Sequence, residues 1–295
     1  MRRSLSSVRR SQRRLRRLGL IGVLLVVATG CQYHLLEPPS PSLLRYRDKI
    51  FASVTKTADV VYGSSVNLSG QTVTLRLDLY RPAGDTLTSR PAIVWVHGGS
   101  FCCGSKTSPE IVDQATEFGR MGYVGAAITY RLEPSGCSAS APTTTCVQTM
   151  RNARDDAQTA VRFLRTNAAT YGIDPNRIAI SGTSAGAITA LGVGYASGED
   201  PSARVRAAVS FSGANLVSTI GPGDAPALLF HGTTDTLVPY QWATNTVTGA
   251  TNKGLDVFLT TWVGEGHVPY QHRNEIIAQT RNFLYWALWL IDAPT

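Results

Sequence analysis

Three side chains far apart in this sequence have the types and settings that acyl-transfer chemistry needs. Gly182-Thr183-Ser184-Ala185-Gly186 sets a serine between two glycines, where residues 177–181 read as a short strand and residues 184–195 as a helix rich in Ala and Gly. A serine at a sharp strand-to-helix turn stands exposed above the helix N-terminus, whose free N–H groups and positive dipole end favour a developing oxyanion. A hydroxyl is a poor nucleophile without a base to take its proton. Of the five histidines, His34 falls in a proline-rich lead, His97 precedes two glycines, His231 ends an apolar run, and His272 approaches the last helical segment. His267 remains, in the loop Gly264-Glu265-Gly266-His267. The acid that orients it is expected between serine and histidine in chain order, after a late strand. Asp235, in His231-Gly232-Thr233-Thr234-Asp235-Thr236-Leu237-Val238-Pro239, meets that requirement. Asp224 precedes that strand, Asp256 opens the next, and Glu265 stands too near His267 in sequence to reach round its ring.

A tetrahedral intermediate also needs donors for its oxygen. His97-Gly98-Gly99-Ser100-Phe101 follows the continuously apolar run Ala-Ile-Val-Trp-Val at 92–96. The N–H groups of Gly99, Ser100 and Ala185 are the expected oxyanion hole.

The elements that must position these residues alternate between β-rich and helical patterns, the signature of βαβ units and a largely parallel sheet. Residues 73–80 alternate as an early antiparallel edge strand does. Residues 92–96 read as a strand covered on both faces. Helix is expected over 111–120, strand over 123–130, and a long helix over 147–170 ending at Tyr171-Gly172-Ile173-Asp174-Pro175. Asp155 and Asp156 on that helix read as a solvated or salt-bridged face. Strands follow at 205–211, 227–230 and 255–262, and an amphipathic helix at 274–290 closes the chain. The short connection between 211 and 227 leaves no room for a large cap domain, so an open site tolerant of bulky esters is expected.

The net charge of +8 is accounted for by Arg2, Arg3, Arg9, Arg10, Arg13, Arg14, Arg16 and Arg17, and no acid occurs among residues 1–30. The rest is neutral, which argues against nucleic acid as a partner. These arginines precede an apolar run at 18–28, shorter than the roughly 20 residues of a membrane-spanning helix but suited to an export signal. Ala28-Thr29-Gly30-Cys31 resembles a bacterial lipoprotein box, with Ala28 where that motif more often has Leu. The expected organisation is a signal segment over 1–31 with a membrane anchor through lipidated Cys31, a tether and N-terminal segment over 32–57, and one domain over 58–295. Four further cysteines follow. Cys137 and Cys146 bracket a Ser/Thr/Pro/Ala-rich stretch and are the economical disulfide pair, whereas a bridge between adjacent Cys102 and Cys103 is strained. No cysteine or histidine spacing matches a metal site, and the sequence assigns no oligomeric state.

With these residues placed, the chain over about 60–290 resembles the α/β-hydrolase superfamily, in its carboxylesterase and bacterial feruloyl-esterase-like branch. Tyr80-Arg81-Pro82, His97-Gly98-Gly99, Tyr130-Arg131-Leu132, Tyr171 to Pro175, Gly182 to Gly186, His231-Gly232, Asp235 and His267 stand in family order. The resemblance implies a mostly parallel eight-stranded sheet flanked by helices and a cofactor-free acyl-enzyme cycle on a small-molecule or polymer-linked ester. A serine peptidase of the same fold and a catalytically silent binding protein are the competing readings.

Overall fold

The computed structural model describes residues 43–290. The arginine-rich start, Cys31 and the proline-rich lead lie outside the described residues. Among those described, no helix is long and apolar enough to cross a membrane.

Eight strands form one sheet in the order β1-β2-β4-β3-β5-β6-β7-β8. β1 (Val54–Val66) pairs antiparallel with β2 (Thr72–Pro82), and β2 pairs antiparallel with β4 (Val124–Ile128). From β4 through β3 (Arg90–Val96), β5 (Ile173–Thr183), β6 (Ala207–Phe211), β7 (Ala227–Gly232) and β8 (Val257–Trp262) every pairing is parallel. The apolar run of β3 is explained by two cores. Ala92, Val94 and Val96 face one, Ile93 and Trp95 the other, so no position along the strand meets water.

On the first face lie α2 (Thr144–Thr166), the single-turn α3 (Ala168–Tyr171), α4 (Ala185–Gly194) and α5 (Tyr240–Thr251). The second is covered by α1 (Pro109–Arg120) and α6 (Arg273–Ala287). α2 is capped by the Thr143 side chain, which accepts the Cys146 N–H at 3.2 Å, and buries Met150, Ala153, Ala157, Ala160, Val161 and Leu164 at helical spacing. α4 is buried at every residue, which its small side chains permit between the sheet and α2.

Four sequence expectations are corrected. The edge strand is β1, and 73–80 lies inboard as β2; register shifts near residues 57–60 and 61–63 break the alternation that would mark β1. The folded domain begins before residue 58: Tyr46 is buried, its N–H bonds the Met121 carbonyl at 2.7 Å, and its own carbonyl accepts from the Tyr123 hydroxyl at 3.0 Å. The long helix breaks at Asn167 before α3, whose end is closed by Gly172 at φ 66°. α5 is a helix that the sequence reading does not include. The connection from β6 to β7 carries no inserted domain.

Candidate active site

Ser184 sits between β5 and α4 at φ 55° and ψ −118°, a strained conformation for a residue with a side chain. The strain is imposed by tight packing. A Cβ on Gly182 would lie 2.1 Å from the Gly186 carbonyl oxygen, and one on Gly186 the same distance from that of Val96, so both flanks must be glycine for the turn to close against β3. The Ser184 N–H donates to the Phe211 carbonyl at 2.8 Å, which ties the turn to β6.

The loops after β7 and β8 bring acid and base to this serine. Thr233 donates its N–H to the Trp262 carbonyl at 3.0 Å, and Thr234 donates both its N–H and its hydroxyl to the Glu265 carbonyl at 2.9 and 2.8 Å. Gly232 passes so close that a Cβ there would lie 2.3 Å from the Glu265 oxygen. Across this seam His267 Nδ1 donates to Asp235 Oδ2 at 2.7 Å, and His267 Nε2 accepts from Ser184 Oγ at 2.7 Å. The three residues singled out in the sequence thus form one continuous hydrogen-bonded chain. The His267 side chain is 18% exposed and that of Asp235 fully buried, so the chain runs from the solvent edge inwards.

Asp235 is held by more than His267. Its Oδ1 accepts the N–H groups of Leu237 and Val238, each at 2.9 Å, and fully buried His231 sets Nε2 3.2 Å from Oδ2 and 2.8 Å from the Val238 carbonyl. Burial alone would raise the pKa of this carboxyl. The hydrogen bonds from His231, His267 and the Val238 N–H overcome it and hold Asp235 well below the ordinary carboxylate range. It therefore stays an anionic acceptor throughout neutral pH. Sequence reasoning missed His231, set aside as a strand end; its signal is a histidine four residues before the candidate acid across a strand-to-turn junction. It also missed Ser212, at φ 54°, whose Oγ accepts the Val268 N–H at 3.0 Å and so steadies the residue after His267.

The glycine turn after β3 lies against the serine: a Cβ on Gly98 would approach Ser184 Cβ at 3.2 Å. Gly99, Ser100 and Phe101 all have positive φ, at 114°, 51° and 61°. This places Ser100, Ala185 and Ser184 on one cleft of about 40 Å³ with Cys137, Ser138, Ala139, Ile188, Leu237 and Val238. Among the described residues, no acceptor takes the N–H of Gly99, Ser100 or Ala185. The loop after Tyr130 forms one wall of this cleft through Cys137, Ser138 and Ala139. Cys137 and Cys146 are disulfide-bonded within that loop, with Cα atoms 4.9 Å apart, while Cys102 and Cys103 are free.

The remaining histidines and acids lie elsewhere. His97 is buried, stacks on Tyr130 at 4.5 Å, and is lowered to about 4 by burial, so it is neutral at physiological pH. His272 stacks on Trp262 and faces Glu265 at 3.3 Å. Asp224 accepts from Ser197 and Gly221, Asp156 is buried against Arg131 at 2.9 Å, and Asp155 pairs with Arg154.

Two family models match the chain. BD-FAE covers residues 77–215 and Phospholipase/Carboxylesterase covers residues 147–286. Phenmedipham hydrolase of Pseudarthrobacter oxydans is 39% identical over 114 residues, which are 38% of this chain and 21% of that protein. Isoprenylcysteine alpha-carbonyl methylesterase of Arabidopsis thaliana is 28% identical over 55% of this chain and 32% of its own length. The chain thus spans between a fifth and a third of these relatives. Thermogutta terrifontis esterase 2 phosphorylated by paraoxon superimposes with a TM-score of 0.64 at 25% identity, covering 86% of this chain and 100% of that one. A truncated carbohydrate esterase from gut microbiota shares the fold, with a TM-score of 0.58 at 19% identity over 82% of this chain and 98% of its own. Sheet order, strand directions and these matches support an α/β-hydrolase of the carboxylesterase branch.

Proposed function

We propose that this chain is a serine carboxylic ester hydrolase in which Ser184 is the nucleophile, His267 the general base and then general acid, and Asp235 the acid that fixes the imidazole. The observation that carries the reading is the unbroken Ser184–His267–Asp235 chain with 2.7 Å at each link. In the cycle, His267 Nε2 takes the Ser184 proton as Oγ attacks the ester carbonyl. The carbonyl oxygen becomes an oxyanion received by the N–H groups of Gly99, Ser100 and Ala185, and the alcohol leaves with the proton from His267. Water activated by the same imidazole then releases the acid and regenerates Ser184. Asp235 stays ionised throughout, because the donors around it stabilise the anion. No cofactor enters this cycle.

The esterase names among the relatives favour esters over peptides. The decisive experiment is hydrolysis of 4-nitrophenyl esters of graded acyl length by the protein and by Ser184→Ala, with paraoxon labelling followed by peptide mass mapping. Turnover lost in Ser184→Ala, with the adduct on Ser184, is the expected result; an active Ser184→Ala would refute it. We also infer export and anchoring through lipidated Cys31, supported by the arginine-rich start, the apolar run and the Ala28-Thr29-Gly30-Cys31 box. Intact mass of the envelope fraction decides this: acyl chains on an N-terminal Cys31 are expected, and an unmodified Cys31 overturns the anchor.

A further inference from the structure

Cys102 and Cys103 lie on the turn that carries Gly99 and Ser100, and both are outside the Cys137–Cys146 bridge. Cys103 is exposed and Cys102 half-buried. Their N–H groups both donate to the Gly99 carbonyl at 3.0 Å, and the Cys102 thiol donates to the same oxygen at 3.4 Å. A trans peptide sets its carbonyl and the following N–H on opposite sides. Three donors gathered on the Gly99 oxygen therefore turn the Ser100 N–H away from the thiols, towards the cleft that Ser100 shares with Ser184. The turn has no slack, since a Cβ on Gly99 would lie 2.3 Å from the Cys103 carbonyl oxygen.

Neighbouring Cys103 and burial raise the Cys102 pKa, so Cys102 keeps its proton and remains the donor to the Gly99 carbonyl. A direct bridge between adjacent cysteines is strained, because two sulfurs on neighbouring residues must meet at about 2.0 Å. A bridge through one larger, soft atom relieves that demand, and soft sulfur ligands select soft centres.

We propose that Cys102 and Cys103 form a dithiol site for a trivalent thiophilic metalloid, of the monosubstituted arsenical class, and that filling it misaims the Ser100 oxyanion donor. The chemistry balances without an oxidant. Both S–H bonds and the arsenic–oxygen bond break, two arsenic–sulfur bonds form, and the oxygen leaves as water with the two thiol protons. The Cys102 proton on the Gly99 carbonyl is lost in that step. The effect on activity rests on the ester-hydrolase reading; the site itself does not.

The test titrates the full chain with phenylarsine oxide while following intact mass and 4-nitrophenyl acetate hydrolysis. One arsenical per chain is expected, with kcat falling by about tenfold or more at little-changed KM, as for a misplaced oxyanion donor. 2,3-Dimercaptopropanol reverses it, and 2-mercaptoethanol at the same thiol concentration does not. Cys103→Ser loses the adduct, and its kcat, measured first without the arsenical as its own baseline, does not fall on titration. An adduct that fails to form, or that persists in Cys103→Ser, overturns the site. An adduct that leaves kcat unchanged overturns the link to Ser100. Should the untreated protein hydrolyse no ester, the functional reading fails, and the mass measurement still decides the site.

Discussion

Ser184 is flanked by two regions built in opposite ways. On one side, the loops after β7 and β8 present side chains: His267 donates to Asp235, and buried His231, bonded to the Val238 carbonyl, stands 3.2 Å from the same carboxylate. On the other, the turn after β3 presents backbone: Gly99 and Ser100 offer N–H groups aimed by positive φ angles and by contacts too close for a Cβ. The first region is specified by residue chemistry and the second by the absence of side chains. Substitutions should therefore fail differently on the two sides, by altered proton handling on one and by altered backbone path on the other.

The largest expected effect is on the side-chain region. Asp235→Asn keeps the shape of the carboxyl but lets His267 adopt the wrong tautomer, and kcat is expected to fall by roughly 10⁴-fold with KM nearly unchanged. Next is the backbone region, where Gly99→Ala combines φ 114° with a 2.3 Å approach to the Cys103 oxygen. It is expected to lower kcat by roughly 10²- to 10³-fold, the cost of an oxyanion donor. If Gly99→Ala proved harmless while Asp235→Asn behaved as stated, the contrast between the regions would collapse, since the turn would not be the oxyanion site.

His231 sharpens the comparison. Replacing it by leucine removes the Nε2–H that donates to the Val238 carbonyl at 2.8 Å and stands 3.2 Å from Asp235 Oδ2, a loss of about 1 kcal/mol, so kcat is expected to fall by about fivefold. His231→Gln, which can return an N–H near the Nε2 position, is expected to recover most of that loss at similar KM. If leucine and glutamine variants were equally impaired, His231 would be a packing residue only.

How much of this was legible in the sequence divides along the same line. That Ser184, Asp235 and His267 belong together could be read from side-chain type and chain order, and the structure joins them by hydrogen bonds; β3 could be found because burial on both faces leaves an unbroken apolar run. What escaped had no pattern to show. β1 carries register shifts that disrupt its alternation, and α5 sets Trp242, Ala243, Val247 and Ala250 against the core among threonines and asparagine of poor helix propensity, so it forms through tertiary packing. Tyr46 is buried by a pocket at the start of β4 that only the assembled sheet creates. His231 and Ser212 act on functional residues brought near them by parallel pairing, and such proximity has no signature in local sequence.

The Cys137–Cys146 loop supplies a smaller effect. The bridge closes about ten residues, and its removal in the Cys137→Ser, Cys146→Ser double variant is expected to cost about 2–3 kcal/mol through the freedom returned to the unfolded chain. Cys137, Ser138 and Ala139 also wall the cleft. The ratio of hydrolysis rates for long over short acyl chains is therefore expected to rise as the wall loosens. Denaturant midpoints and 4-nitrophenyl ester profiles read the two consequences separately, and a midpoint equal to that of the parent would show that the wall is held by other contacts.

The smallest effect concerns acid stability and returns to Asp235. Its folded-state pKa is depressed, so relative to an unfolded carboxyl near 3.9 it binds fewer protons when folded. Stability from this group is fully present above the unfolded value and is lost as pH falls from about 5 towards the folded value. Asp235→Asn lacks that titration. Lowering pH from about 5 to about 3 is therefore expected to lower the melting temperature more steeply in the parent than in Asp235→Asn, so that the two curves converge in acid. Asp78, beneath Lys56 and Lys106, and Asp85, between Arg45 and Arg90, have pKa values lowered in the same direction and remain in both proteins. They set a common acid slope on which the Asp235 difference is superimposed. Parallel curves would mean that the donors around Asp235 stabilise its anion no better than water does, and the account of the side-chain region as an anion-holding pocket would have to be withdrawn.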